Sequence, residues 1–169
     1  MSTRLWYPQL DVYDAIRRVA CLVSKLEHQP PSVERVYILD FYFANPSLLH
    51  KVHMPREVRA EFVKANVEHP DNSFLSYPSA PILFKKMEPI QKEAIRTLAG
   101  KELIDLTYLE RGEIIGSSSG RVLFRQRFYE TLTQPERPIL HFLTAHFATI
   151  GLEDIRELRN RTGLRRMVG

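Results

Sequence analysis

Residues 81–120 read PILFKKMEPIQKEAIRTLAGKELIDLTYLERGEIIGSSSG, and the fold turns on how this stretch is read. Pro89 after Glu88 suits a first helical turn, and Ile90, Ala94, Ile95 and Leu98 recur at three- and four-residue spacing until Gly100 supplies a stop. Directly behind, Leu103, Ile104, Leu106 and Leu109 fit a short strand. Residues 110–113 then carry a glycine-containing turn, and Ile114 and Ile115 begin a return strand before a Gly-Ser-Ser-Ser-Gly loop. A recognition-type helix running into a short hairpin is the centre of a winged helix-turn-helix. The pattern predicts an α+β fold, mostly α-helical, with a winged centre and flanking helices.

Working outward, Trp6, Tyr7, Pro8 and Leu10 precede Asp11, which is placed to cap a helix reaching about His28. Val12, Ile16, Val19, Val23 and Leu26 make one apolar stripe along it, suited to cover the core or to receive a partner helix. Gln29, Pro30, Pro31 and Ser32 break that helix and open the next, VERVYILDFYFA, from Val33 towards Ala44. It is apolar over most of its circumference, as expected of a central helix packed on several sides, and Asn45-Pro46 ends it. A further helix is expected from Pro55 to Glu68, followed by a proline-rich loop to Pro81. Beyond the wing, Ile139, Leu140, Leu143, Phe147 and Ile150 predict a helix ending at Gly151, and a last one spans Leu152 to about Arg161. The expected division is an N-terminal helical part (11–80), the winged segment (81–120) and a C-terminal helical part (121–169), within one compact domain.

The 169 residues are 44% hydrophobic and 26% charged, an ordinary globular composition. Cys21 has no partner for a disulfide and falls in a helical pattern, which reads as a buried, inert thiol. No window approaches a spanning helix and the N-terminus lacks a secretory layout, so no membrane association and a cytoplasmic location are expected. The net charge of +4 is unevenly placed: Lys and Arg equal Asp and Glu up to Gly120, and after it nine cations face five acids. A winged helix that gripped DNA alone would carry its positive charge on the recognition helix and wing, and here that segment is neutral. The balance favours a protein-docking module over an autonomous DNA-binding transcriptional regulator.

Candidate chemistry is sparse. Asp40, between Leu39 and Phe41, is an acid in an apolar helix with no second carboxylate nearby, which favours a salt bridge or an interface contact over catalysis. Asp40 and Tyr42 are the candidate partner interface. His50 and His53 lack further ligands for a metal, and the five-residue separation of His141 and His146 puts them on different helix faces. Phosphate-binding glycine loops, nucleophile elbows and zinc-binding motifs are absent, so catalytic, cofactor and metal residues are all expected to be none. The densest charge is at the end: Arg156, Arg159, Arg161, Arg165 and Arg166, which either complement a helix dipole or contact DNA or an acidic partner.

The runs WYPQLDVYDAIRRVACLV, VERVYILDFYFANPSLL, LFKKMEPIQKEAIRTLAGKELIDL and LRNRTGL, in this order, resemble the middle component of bacterial ABC three-component systems, and more narrowly the small LmuC subunit of Lamassu-type antiphage defence. The most specific parts are Leu39-Asp40-Phe41-Tyr42 with Asn45-Pro46, then Pro89-Ile90-Gln91, and Arg161-Thr162-Gly163-Leu164. The resemblance implies a non-enzymatic subunit joining an SMC-like ABC ATPase, which senses foreign DNA, to an effector nuclease, with DNA met within the complex.

Overall fold

The computed structural model describes residues 7–70 and 79–166. Its α-helices, among the described residues, are α1 (Val12–Lys25), α2 (Val33–Ala44), α3 (Arg56–Lys64), α4 (Ala80–Gly100), α5 (Leu106–Glu110), α6 (Ser118–Leu123), α7 (Glu136–Ala145) and α8 (Ile155–Thr162). Asp11 caps α1 by accepting from the Tyr13 and Asp14 N–H groups, and Ser32 caps α2 by accepting from that of Arg35. Every residue of α2 from Val33 through Phe43 is buried, the polar Glu34, Arg35 and Asp40 included. Helix α1 packs along α4 and α2, and buried side chains from the N-terminal, middle and C-terminal parts join in one core cluster. No helix among the described residues is long and apolar enough to cross a membrane.

The middle segment differs from its sequence reading in three places. First, α4 begins at Ala80, so Pro81 rather than Pro89 occupies the first turn and Pro89 lies inside the helix. Its ring is exposed, and the N–H it lacks would have bonded to the Lys85 carbonyl. What extends the helix backwards is burial, because Leu83, Phe84 and Met87 continue the inner face that Gln91, Ala94, Ile95 and Leu98 form.

Second, the expected strand is interrupted by α5. Asp105 accepts from the Thr107 N–H at 2.9 Å and the Tyr108 N–H at 3.4 Å, so the residue read as mid-strand is a helix cap. The described residues contain two isolated antiparallel bridges in place of a wing, Ile104 with Gly116 and Ser32 with Glu113. Around them the Asp105 N–H donates to Ile115, Ser117 to Leu103, and Ile114 to Pro31. Residues 112–117 therefore tie the segment before α5 to the entrance of α2.

Third, the Gly-Ser-Ser-Ser-Gly stretch opens a helix. Ser117 accepts from the Gly120 N–H at 3.0 Å and starts α6. Gly120 lies so close to the preceding turn that a Cβ there would sit 1.9 Å from the Leu103 carbonyl oxygen, which only glycine tolerates. The chain continues without a break through a wide π turn (Phe124–Phe128) that packs on α1 and a 3-10 turn (Tyr129–Thr131).

Other boundaries shift less. Helix α3 stops at Lys64. The next expected helix breaks at His146, where φ is −121° and ψ −56°, and a 3-10 turn (Phe147–Thr149) follows. Asp154 caps α8, leaving Leu152 exposed before it, and Gly163 ends α8 in the left-handed region at φ 72°. The proline-rich loop lies mostly outside the described residues.

Candidate functional site: a buried polar chain and the placement of the arginines

Asp40 is on the inner side of α2, where its neighbours Leu39 and Phe41 are wholly buried. A carboxylate there needs partners, and α1 and α4 supply them. Arg18 Nε donates to Asp40 Oδ1 at 2.7 Å, while Gln91 Nε2 donates to Asp40 Oδ2 at 2.8 Å and to the Tyr37 carbonyl at 3.0 Å. Arg18 extends the chain outward to Asp14 and to the Pro8 carbonyl. Burial acts to lower the Arg18 pKa, but Asp40 and Asp14 more than offset it and hold it above the ordinary guanidinium value.

On the other side of Gln91 the chain reaches the C-terminal segment. After Gly163 turns the backbone, Leu164 is buried and Arg166 enters the core, donating to Gln91 Oε1 and the Phe84 carbonyl. Its guanidinium stacks 4.0 Å from the centre of the Phe84 ring and 4.7 Å from that of Tyr37. Burial lowers its pKa. A continuous line of hydrogen bonds, Asp14 to Arg18 to Asp40 to Gln91 to Arg166, thus joins α1, α2, α4 and the segment after α8.

Neither Asp40 nor Tyr42 lies on a surface, where a partner interface would put them. Tyr42 is buried edge-on to Phe41 and Phe147, at 5.1 and 5.4 Å between ring centres, and burial raises the pKa of its phenol. The helix is covered all round, as its apolar circumference predicts, and so leaves no face on which a partner could reach Asp40 or Tyr42.

The five C-terminal arginines are not one patch. Arg166 is in the core, and Arg159 Nε donates to the buried Glu34 at 2.7 Å, holding α8 to α2. Arg161 pairs with Glu157 at 3.0 Å and donates to the His53 carbonyl. Arg156, with 78% of its side chain exposed, pairs with Asp154, and Arg165 is exposed. Most of the charge in this run is therefore met within the fold.

Residues 4–167 match the family model described as ABC-three component (ABC-3C) system Middle Component 5. The chain belongs to this family. The match runs from before α1 through Arg166 and so includes all five members of the buried polar chain. No curated protein and no solved structure matches. A middle component is one part of a multi-component system, which implies partner components.

The excess positive charge of the middle component is displayed elsewhere, on residues 121–137. Arg121, Arg125 and Arg127 are exposed along α6 and the π turn, and Arg137 is exposed in α7. Arg125 pairs with Glu27 just beyond α1, and Arg121 Nε donates to the Gly116 carbonyl at 3.0 Å. Tyr129 carries two cations on its ring, Lys25 Nζ at 4.4 Å and the Arg137 guanidinium at 5.2 Å from its centre. The available signal was the count of nine cations against five acids after Gly120, four of which precede α8.

The histidine pair of the middle component departs from its sequence reading, and Arg35 adds a further buried cation. The break at His146 brings its ring within 5.7 Å of His141, rather than onto another face, with Glu61 at 3.6 Å from His146 Nε2. No group of three His, Cys, Asp or Glu suited to a metal occurs among the described residues. Arg35, at the start of α2, is buried and spreads its guanidinium over the carbonyls of Ala148, Ile150 and Gly151, in the turn that connects α7 to α8. It forms part of the lining of an open groove of about 780 Å³ bounded by residues 25–35 and 144–155.

Proposed function

We propose that this middle component is a non-catalytic accessory subunit of an antiphage defence complex of the Lamassu type. In this reading it works in the cytoplasm without a cofactor and joins an SMC-like ABC ATPase that senses foreign DNA to an effector nuclease held inactive until sensing. The observation that carries the reading is the family match over residues 4–167. The buried polar chain supports it physically, because a network that locks four segments together makes a rigid body on which two partners can be held in fixed relation. Asp40, the acid best placed in the sequence for chemistry, has both oxygens occupied by donors and is sealed from solvent.

The test is to purify the tagged chain from its native host and identify what accompanies it. An ATPase with SMC-like architecture and a nuclease are expected, and the isolated chain should neither hydrolyse ATP nor cut DNA. Metal-dependent cleavage by the isolated chain, lost in Asp40→Asn with the circular dichroism unchanged, would overturn the non-catalytic assignment. Tight binding of one particular duplex sequence by the isolated chain would favour the competing reading, a DNA-binding transcriptional regulator.

A further inference from the structure

We infer that the ridge formed by Lys25, Arg121, Arg125 and Arg137 around Tyr129 is a contact surface for the phosphate backbone of duplex DNA, bound without regard to sequence. The inference deepens the proposed DNA-sensing role but does not depend on the identity of the ATPase or the effector.

Three observations carry it. The first is how the charge is held. Lys25 and Arg137 approach one ring closely enough that their charged groups are separated by no more than roughly 10 Å, about one Debye length at 0.1 M salt. Two like charges fixed this close repel, and an anion lying over them relieves the repulsion.

The second is the line the charges follow. Arg121 and Tyr129 are eight residues apart along one continuous helical path, a rise of about 12 Å at helical pitch. Duplex DNA carries one charge per about 1.7 Å of axis, so a rod of phosphates presents several charges over that length. Arginine suits the task because its planar fork can donate two hydrogen bonds to one phosphate.

The third is what the ridge lacks. A protein partner would be expected to find an aromatic or aliphatic anchor at the centre of its footprint. Here the Tyr129 ring is already occupied by Lys25 and Arg137, and Val122, 55% exposed, is the large apolar side chain that the stretch 121–131 offers to solvent. The occupied ring also disfavours base stacking, which is why the contact is assigned to the backbone of a duplex rather than to single strands. Of the nearby acids, Glu27 is paired with Arg125 and Glu136 with Arg17, which leaves Glu130 as the exposed opposing charge.

The experiment is a fluorescence-anisotropy titration of the isolated chain against labelled duplexes of about 20 base pairs in two unrelated sequences, between about 50 and 200 mM salt. The expected result is dissociation constants in the range of roughly 10⁻⁴ to 10⁻⁶ M, equal for both sequences and steeply weakened by salt. The triple variant Arg121→Gln, Arg125→Gln, Arg137→Gln should bind at least about tenfold more weakly at low salt, and its log–log salt slope should fall by about 2 to 3. Glu130→Gln should bind more tightly, and Arg156→Gln with Arg161→Gln should keep the parent slope.

Circular dichroism accompanies each variant. Should the triple variant unfold, Arg125→Gln alone decides by a slope reduced by about one. No binding by the parent, a tenfold preference for one sequence, or a salt slope unchanged in the folded ridge variants would each overturn the inference. So would a ridge variant that binds DNA normally but no longer carries its native protein partners, which would assign the ridge to an acidic protein surface. Loss of DNA binding with the partners retained supports the ridge and leaves the bridging role standing.

Discussion

Arg18 Nε donates to Asp40 Oδ1 at 2.7 Å inside the molecule, with 1% of the arginine side chain and 0% of the aspartate side chain exposed. Such a pair gains little over an apolar packing of the same volume, since both charges leave water, but it is costly to break from one side. Gln91 joins Arg18 Nη2 as a donor to Asp40 Oδ2 and passes the chain to Arg166, so α1, α2, α4 and the C-terminal segment share one set of donors and acceptors. That sharing makes their register specific.

The pair should therefore be strongly non-additive. Asp40→Ala is expected to lose about 3 to 5 kcal/mol by urea denaturation, because the Arg18 guanidinium stays buried without its main counter-charge. The double variant Arg18→Met, Asp40→Leu should recover most of that loss, as Gln91 keeps its bond to the Tyr37 carbonyl. Additive losses in the double variant would show that the two side chains do not form the coupled unit described.

Arg35 should be irreplaceable by lysine. Its fork reaches three carbonyls of the turn between α7 and α8, and a single ammonium on a flexible stem cannot span them. Arg35→Lys is expected to cost about 1 to 3 kcal/mol through carbonyls left unmatched in the interior. Wild-type stability in the lysine variant would mean that water takes over these acceptors.

Helix α2 was fully legible because its boundaries are local: Pro30, Pro31 and Ser32 open it, and Asn45-Pro46 closes it, so Val33 and Ala44 could be read off directly. Asp11 as a cap was legible for the same reason. The start of α4 was not, since Pro81 and Pro89 are equally good first-turn residues and only tertiary burial of Leu83, Phe84 and Met87 chooses between them. The wing failed at Asp105, a residue that caps as readily as it turns, and Leu106, 53% exposed, does not keep the alternation a half-buried strand needs. The partners of Asp40 are 22 and 51 residues away, beyond any local pattern. The C-terminal arginines looked alike in sequence, and it is the turn at Gly163 that sends Arg166 inward while Arg165 stays exposed.

Cys21 gives a pH dependence with a definite sign. Burial, the largest influence, pushes its thiol from 9.0 up to about 11, and its Sγ lies 3.4 Å from the Phe128 carbonyl. The unfolded chain therefore loses this proton at a lower pH than the folded one, so its contribution is fully present below pH 9 and is lost as pH rises through about 11. Urea denaturation of the parent between pH 8 and 10.5 should show a fall on the order of 2 kcal/mol beyond that of Cys21→Ala. At pH 8 a thiol reagent should label Cys21 only as fast as the chain opens. Rapid labelling of the folded chain, or parallel pH curves for parent and variant, would contradict the burial assigned to it.

The last prediction separates the C-terminal arginines by role. Arg156→Glu with Arg161→Glu changes groups on the outer side of α8, and the melting temperature should move little: Arg156 is in the first turn, where an acid suits the helix dipole, while only the reversal at Arg161, in the last turn, opposes it. Arg166→Glu places an acid between two aromatic rings and opposite the Gln91 and Phe84 oxygens, so it should cost several kcal/mol, enough to unfold a domain of ordinary stability. Arg166→Met is the milder control: it keeps apolar volume against Phe84 and Tyr37 and removes only the donors. In the proposed defence role, loss of phage protection after reversing all five arginines would then report unfolding rather than a lost contact, and the two-site outer variant is the one that reads function. Equal melting of Arg166→Glu and the outer pair would mean that the segment after Gly163 is not seated in the core.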